Sequence, residues 1–171
     1  HVRSRRQRQM CIRDRQYPGQ RVQVDMKVVP LKCLANPEER LYQYTAIDEY
    51  TRLSYLGAYP EQSAYSSADF LEKMVTWFKR RGVRDGIEFT NHFSTNKKDR
   101  LTRIELAAAR LGIRHKLICP YTPHHNGKVE RSHREDQKRF YNTHRFFSFA
   151  DFGVQFAACL LYTSPSPRDI S

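Results

Sequence analysis

The sequence is short of cysteine motifs and of long apolar runs. Its four cysteines are widely spaced and form no C-x-x-C pair, which excludes the common patterns of a zinc site and of a disulfide framework. Free thiols in a reducing compartment are the simpler interpretation. No apolar stretch reaches the length of a membrane span or forms a signal core near residue 1. We therefore expect a cytoplasmic protein with no membrane partner.

Internal repeats and low-complexity segments are also absent from the central part of the sequence. Apolar residues are plentiful enough for one domain, because 39% of the 171 residues are hydrophobic. The chain has 30 lysines and arginines against 18 acidic residues, a formal net charge of +12. An excess of this size favours a nucleic acid or another anionic partner.

Both ends of the sequence look foreign to the rest. Residues 1–15 and 159–171 resemble translations of a sequencing-library adapter read in opposite orientations. The first segment also lacks an apolar period, so we predict a disordered arm there and an adapter-derived tail at the other end. The alternative for residues 1–15 is a basic arm that contacts DNA. The predicted core is residues 16–158, which keep a net charge of +7 once the seven basic and two acidic residues of the ends are set aside.

Three strands are predicted in the first part of this core. Apolar and polar residues alternate over Arg21–Val29, which is typical of a strand with one apolar face. Asp25 lies in the middle of the polar face, and an acidic residue is a poor strand former, so its presence there needs a reason. Leu41–Asp48 and Leu53–Tyr59 predict two further strands and, with the first, an antiparallel meander.

Helical periodicity predicts three helices in the rest of the core, with a short strand between the second and the third. A serine can cap the first helix, and a glycine follows each of the first two. This order indicates a mixed α/β sheet flanked by helices. The predicted segments are Ser66 or Ser67 to Arg80 (with a buried stripe of Phe70, Leu71, Met74, Val75 and Phe78), Leu101–Leu111, Ile113–Cys119 and Lys128–Tyr141.

Three short motifs together carry a family resemblance. The most specific is Asn126-Gly127-Lys128-Val129-Glu130-Arg131, and Ala46–Arg52 and Glu88–Asn91 support it. With these motifs, the stretch from about Tyr17 to Phe152 resembles bacterial insertion-sequence transposases with an integrase-type core, of the retroviral-integrase superfamily. The resemblance implies a ribonuclease-H-like fold and a DNA transposase that cleaves DNA and transfers strands.

The same resemblance implies an active site of two Asp residues and one Glu that bind two divalent ions, Mg²⁺ or Mn²⁺. It assigns these catalytic and metal-binding roles to Asp25, Asp85 and Glu130. Two ions about 4 Å apart can stabilise both the attacking and the leaving oxygen of a phosphoryl transfer, and Mg²⁺ prefers oxygen ligands. No protein nucleophile is needed, since water or a DNA 3′-hydroxyl attacks.

Each carboxylate has a simpler alternative. Asp25 can be a solvated strand residue, and Glu130 can pair with Arg134 one helical turn away. Asp48 also follows a strand, but we interpret it as a turn residue that bonds nearby backbone, and the family pattern makes it non-catalytic.

The segment around Asp85 departs from the family pattern. Gly86 follows Asp85 at once, so one residue of the motif is missing, and Phe78–Arg84 contains no apolar run that predicts a strand. We therefore predict that one strand of the sheet is missing and that Asp85 is poorly positioned. Glu88 is a candidate substitute, and a sequence-assembly error is an alternative cause.

Basic residues recur along the third predicted helix, which favours contacts with the phosphate backbone of DNA. The resemblance implies DNA partners (transposon ends and target), a homo-oligomer when the protein is intact, and a nucleoid-associated bacterial enzyme. Two alternatives remain: a catalytically dead DNA-binding remnant of such a transposase, and a ribonuclease-H-like nuclease acting on hybrids. The candidate DNA-binding residues are Lys128, Arg131, Arg134, Lys138, His124, His125 and Asn126.

Overall fold

The computed structural model describes residues 16–83, 87–91, 103–117 and 126–163 of the chain. Its centre is one five-stranded mixed sheet, with helices packed on both faces. The strands are β1 (Val22–Val28), β2 (Tyr42–Asp48), β3 (Ser54–Tyr59), β4 (Glu88–Asn91) and β5 (Arg114–Leu117). The helices are α1 (Ala64–Arg80), α2 (Arg103–Arg110), α3 (Gly127–Asp136), a π-helical segment (Gln137–Tyr141) that continues α3, and α4 (Phe149–Thr163).

The strands are ordered β3-β2-β1-β4-β5 across the sheet. The pairs β1–β2 and β2–β3 are antiparallel, as the predicted meander requires, whereas β1–β4 and β4–β5 are parallel. Parallel neighbours need a crossover connection, and α1 and α2 lie in the two connections that provide it. The central position of β1 places Asp25 in the middle of the sheet.

The first hydrophobic core lies between one sheet face and the helices α1 and α2. Val22 and Val24 of β1 are buried there, 0% and 3% exposed, as their alternation predicts. The predicted stripe of α1 is also buried in this core and is confirmed. Burial of this stripe, more than the propensity of its residues, is what stabilises a helix of this kind.

The second core lies on the opposite sheet face, where the π-helical segment and α4 cover β3. Aromatic side chains dominate it, because Phe140, Phe146, Phe152 and Phe156 form a chain of ring contacts with centroids 4.9–6.0 Å apart. The helix α4 continues to Thr163 and so crosses the predicted boundary between core and tail at residue 158. No helix in the described ranges is both long and apolar enough to cross a membrane.

The cap of α1 differs from the prediction. The helix begins at Ala64, and its capping residue is Ser63, whose Oγ accepts a hydrogen bond from the backbone N–H of Ser66 at 3.1 Å. Ser66 is buried inside the first turn, so the predicted caps at Ser66 and Ser67 are wrong. Several serines in succession offer similar local patterns, and packing of the first turn selects among them.

The main correction to the predicted fold concerns the strand that was predicted to be missing. The sheet does contain a fourth strand, but this strand follows Asp85 in sequence, whereas the prediction expected it before Asp85. Ile87 and Phe89 are 2% and 0% exposed and supply the apolar side chains that a central strand needs. Neighbours on both sides provide backbone partners for β4, so four residues suffice for a strand that is too short to recognise by alternation.

Candidate active site and nucleic-acid interface

The polar face of β1 carries Gln23, Asp25 and Lys27, and it faces α3. Gln23 is 3% exposed, and its Oε1 accepts hydrogen bonds from the backbone N–H groups of Lys128 at 3.1 Å and Val129 at 3.3 Å. These two groups belong to the first turn of α3. The start of this helix is therefore attached to β1 by a strand side chain from more than a hundred residues earlier.

Lys27 makes a second attachment further along the same helix. Its Nζ donates to the carbonyl oxygen of His133 at 3.2 Å and to Oε1 of Gln137 at 2.9 Å. Since side chains two residues apart point to the same side of a strand, Asp25 projects between the two attachments, towards α3.

Glu130 lies in the first turn of α3, and its side chain is exposed. Its backbone N–H donates to the carbonyl oxygen of Asn126 at 3.1 Å, the first hydrogen bond of the helix. Among the ion pairs of the described residues there is none between Glu130 and Arg134, so the simpler alternative of a surface pair is not observed. The structure brings Asp25 and Glu130 to the same side of the sheet.

Asp85 lies outside the described residues. Its candidate substitute, Glu88, begins β4 and is level with Arg21 in the parallel register, four residues before Asp25. At about 3.3 Å per residue, this separation is about 13 Å along the strand, too far for two ligands of one ion. Glu88 instead lies 3.8 Å from Nζ of Lys116. The hypothesis that Glu88 replaces Asp85 is therefore wrong.

The donor set fits a divalent metal only in part. Asp25 and Glu130 are carboxylates, the hard oxygen donors that Mg²⁺ and Mn²⁺ prefer. Within the described part of the chain, no group of three His, Cys, Asp or Glu side chains is close enough to hold an ion. Two of the three expected ligands are thus available on adjacent elements, and the third would come from outside the described ranges.

A buried polar network lies beneath the rest of α3, and sequence reasoning missed it. Gln43 is fully buried, and its Nε2 donates to Asp136 at 2.7 Å and to Thr45 at 3.0 Å. The hydroxyl of Tyr141 donates to the amide oxygen of Gln43. Asp136 and Tyr141 are both more than ninety residues from Gln43, so no local pattern signals the network.

Burial shifts the pKa values of titratable groups in and beside this network. Burial, with a smaller contribution from nearby Lys27, lowers the pKa of His133 to about 4, so its ring is neutral at pH 7 and bonds Oγ1 of Thr45 at 3.1 Å. Burial also raises the pKa of Asp136 and lowers that of Lys27. All three shifts favour the neutral form of the group. The attraction between Asp136 and Lys27 acts in the opposite direction, because it favours the charged form of each and so partly cancels the effect of burial.

The predicted DNA-binding residues differ in their exposure. Arg131, Arg134 and Lys138 are exposed on α3 and its continuation. Lys128 is half-buried and is engaged with Glu49, because its Nζ donates to the backbone oxygen at 3.1 Å and lies 3.9 Å from the carboxylate.

Asn126 differs from the others because its side chain is fully buried. Its amide nitrogen and oxygen have no hydrogen-bond partner. This burial opposes the predicted contact of Asn126 with DNA, since a side chain that reaches phosphate or base must be accessible. His124 and His125 lie outside the described residues.

Asp48 has the turn role that the sequence predicts. Its side chain is 0% exposed, and its two oxygens accept hydrogen bonds from the backbone N–H of Gly19 at 3.1 Å, and from the N–H and hydroxyl of Thr51 at 2.9 Å and 2.6 Å. These hydrogen bonds join the carboxylate to the turn after β2 and to the segment before β1. Asp48 is therefore a structural residue.

Comparisons with known proteins bear on the whole fold. The structural match to the catalytic core domain of BIV integrase covers 89% of this chain and 93% of that domain's chain, with 17% sequence identity and a TM-score of 0.59. The match to the catalytic domain of Mos1 mariner transposase covers 85% of this chain and 72% of that domain's chain, with 12% sequence identity and a TM-score of 0.59. The fold is an integrase-type core.

Sequence comparison agrees with this assignment. Residues 111–160, which include α3 and Glu130, match the family model described as an integrase core domain. The ORF3 protein of Spiroplasma virus SpV1-C74, named as an integrase, is 29% identical over 130 residues. The match covers 70% of this chain and 35% of that protein, so the chain spans about a third of the relative's length. The resemblance to integrase-type cores is confirmed.

Proposed function

We propose that this integrase-type core catalyses metal-dependent phosphoryl transfer in DNA integration or transposition, cutting DNA and joining strands. The observation that supports the proposal best is that β1 and α3 hold Asp25 and Glu130 on one side of the sheet, between the two attachments made by Gln23 and Lys27.

Asp25 and Glu130 would hold Mg²⁺ or Mn²⁺, two ions in the full site, with Asp85 as the third carboxylate that the resemblance assigns. Bound ions of this kind neutralise charge on the attacking and leaving oxygens of a phosphoryl transfer. The chain contributes oxygen donors on two rigid elements, which is how a metal site is held to a useful geometry. In support, the Mos1 catalytic domain has been solved with Raltegravir and Mg.

The exposed basic side chains of α3 would hold the DNA backbone beside these carboxylates. Arg131 directly follows Glu130, and Arg134 comes three residues later, so the two arginines lie near one face of the helix. Contacts of this kind position a duplex without reading its sequence. We further propose that the intact protein acts as a homo-oligomer on transposon ends and target DNA, in the bacterial cytoplasm at the nucleoid.

The test is nicking of supercoiled plasmid by the purified chain in Mg²⁺ and in Mn²⁺. Glu130→Gln removes a charged ligand while keeping the side-chain volume, and we expect it to abolish nicking, as Asp25→Asn should. Glu135→Gln is the matched control, because Glu135 lies on the same helix and pairs only weakly with exposed Lys138 and Arg139.

Activity retained by Glu130→Gln would refute the assignment of the site. Salt-sensitive DNA binding without nicking in either metal would instead favour the catalytically dead remnant. Nicking confined to the RNA strand of a hybrid substrate would favour the ribonuclease-H-like nuclease.

A further inference from the structure

Gln23 is a buried amide whose hydrogen-bonding groups are engaged with two different elements. Its oxygen accepts from the N–H groups of Lys128 and Val129, and its nitrogen donates to Oε1 of Glu49 at 2.6 Å. Burying an amide is costly unless it is hydrogen-bonded, so these contacts stabilise one orientation of the side chain. Gln23 therefore links the strand that carries Asp25 to the helix that carries Glu130.

The residue at the capping position of α3 does not cap the first turn of the helix. Helices begin with four backbone N–H groups that lack intrahelical partners, and a side chain at the capping position usually satisfies one or two of them. Asn126 occupies that position and makes no such bond. Gln23 caps the helix from β1, because its side-chain oxygen accepts hydrogen bonds from the backbone N–H groups of Lys128 and Val129, the second and third helical residues.

Glu49 sets the direction of the Gln23 amide. Its side chain is largely buried, and Oε1 receives the Gln23 bond while lying 3.3 Å from Nε of Arg21. Only the amide nitrogen can donate to a carboxylate, so the amide oxygen must face α3. Nζ of Lys128 lies 3.9 Å from the other carboxylate oxygen of Glu49. This ion pair adds a second link between the turn after β2, which contains Glu49, and α3.

We propose that Gln23 is a positioning residue of the candidate metal site. It acts as a long-range cap that holds the first turn of α3, and hence Glu130, at a fixed place relative to Asp25, with Glu49 orienting its amide. The inference rests on the proposed function, since it assumes that Asp25 and Glu130 share a metal. Residues that orient metal ligands change metal affinity about 10–100-fold when they are removed.

The experiment uses the full chain and Mn²⁺ alone. Gln23→Leu removes all three hydrogen bonds, and the double variant Gln23→Glu with Glu49→Gln restores them with the donor and acceptor exchanged between residues 23 and 49. Gly57→Ala is a destabilised control on β3, away from α3. For each protein, NMR gives the exchange rates of the Lys128 and Val129 amides, and calorimetry gives the Kd for Mn²⁺.

We expect Gln23→Leu to speed exchange of both amides about tenfold and to weaken Mn²⁺ binding about 10–100-fold. The double variant should recover most of both, and Gly57→Ala should change neither by much. Unchanged amide exchange in Gln23→Leu would overturn the capping role, and unchanged Mn²⁺ affinity would overturn the positioning role. If the unmodified chain and Glu130→Gln bind Mn²⁺ equally, the metal site of the proposed function fails, and the positioning role fails with it.

Discussion

Replacement of Asp48 by alanine should destabilise the protein without acting on the candidate metal site. The carboxylate of Asp48 is fully buried and accepts three hydrogen bonds, one from Gly19 and two from Thr51. Asp48→Ala removes both acceptor oxygens and leaves the three donors in place. Asp48 is also the acidic residue most easily mistaken for a catalytic one, because it ends a buried strand.

The expected loss follows from the environment of each donor. The bond from Gly19 is buried, so its N–H loses its acceptor without replacement, at about 1–3 kcal/mol. The two bonds from Thr51 are partly buried, and water can replace them in part, at about 0.5–1 kcal/mol each. We expect a total near 3 kcal/mol, which lowers the Tm by about 6–12 °C for a domain of this size.

Urea unfolding followed by the fluorescence of Trp77, the single tryptophan, measures this loss. Asp48→Asn is the matched control, because its remaining oxygen can still accept from Thr51 and should limit the loss to about half. A loss below about 1 kcal/mol for Asp48→Ala would refute the reasoning. Complete loss of Mn²⁺ binding by folded Asp48→Ala would refute its structural assignment.

Three further predictions use other parts of the structure. Gly57→Ala should destabilise by about 1–3 kcal/mol in urea unfolding, because an added Cβ would lie 2.9 Å from the buried ring of Phe70; no measurable loss would contradict this close packing. The pKa of His133 is about 4 in the folded protein, below its ordinary value of 6.5, so its contribution to stability is complete above pH 6.5 and is lost as pH falls towards 4. Stability measured between pH 7 and pH 4 should fall by up to about 3 kcal/mol more in the unmodified chain than in His133→Gln, whereas parallel curves would exclude a neutral, buried ring. Combined Arg131→Ala and Arg134→Ala should reduce the slope of log K against log salt for duplex DNA by about 2, and an unchanged slope would exclude both from the phosphate contacts.

Local patterns predicted the elements that bury one regular face. The alternation around Asp25 specified β1 and the side on which the carboxylate projects, and the spacing from Phe70 to Phe78 specified the buried stripe of α1. Such patterns are readable because burial repeats every two residues in a strand and about every 3.6 in a helix. The cap at Ser63 escaped prediction because neighbouring serines satisfy the same local rule.

The fourth strand shows where a local pattern is insufficient. Glu88–Asn91 has only four residues, and it forms a strand because β1 and β5 lie on either side of it. The place of β4 in the sheet also separates Glu88 from the candidate site, because the parallel register puts Glu88 level with Arg21 and away from Asp25. A register between strands more than sixty residues apart is a property of the assembled sheet.

By itself, then, the sequence determined the alternation of β1, the buried stripe of α1 and the motif around Glu130, since each depends on residues close together in the chain. Tertiary structure alone decided that β4 follows Asp85, that Gln23 caps α3, that Lys128 is held by Glu49, and that a buried network including Gln43 and His133 supports the helix. All of these depend on contacts between residues far apart in sequence, and only the folded sheet, with α3 packed across it, brings those residues within hydrogen-bonding distance.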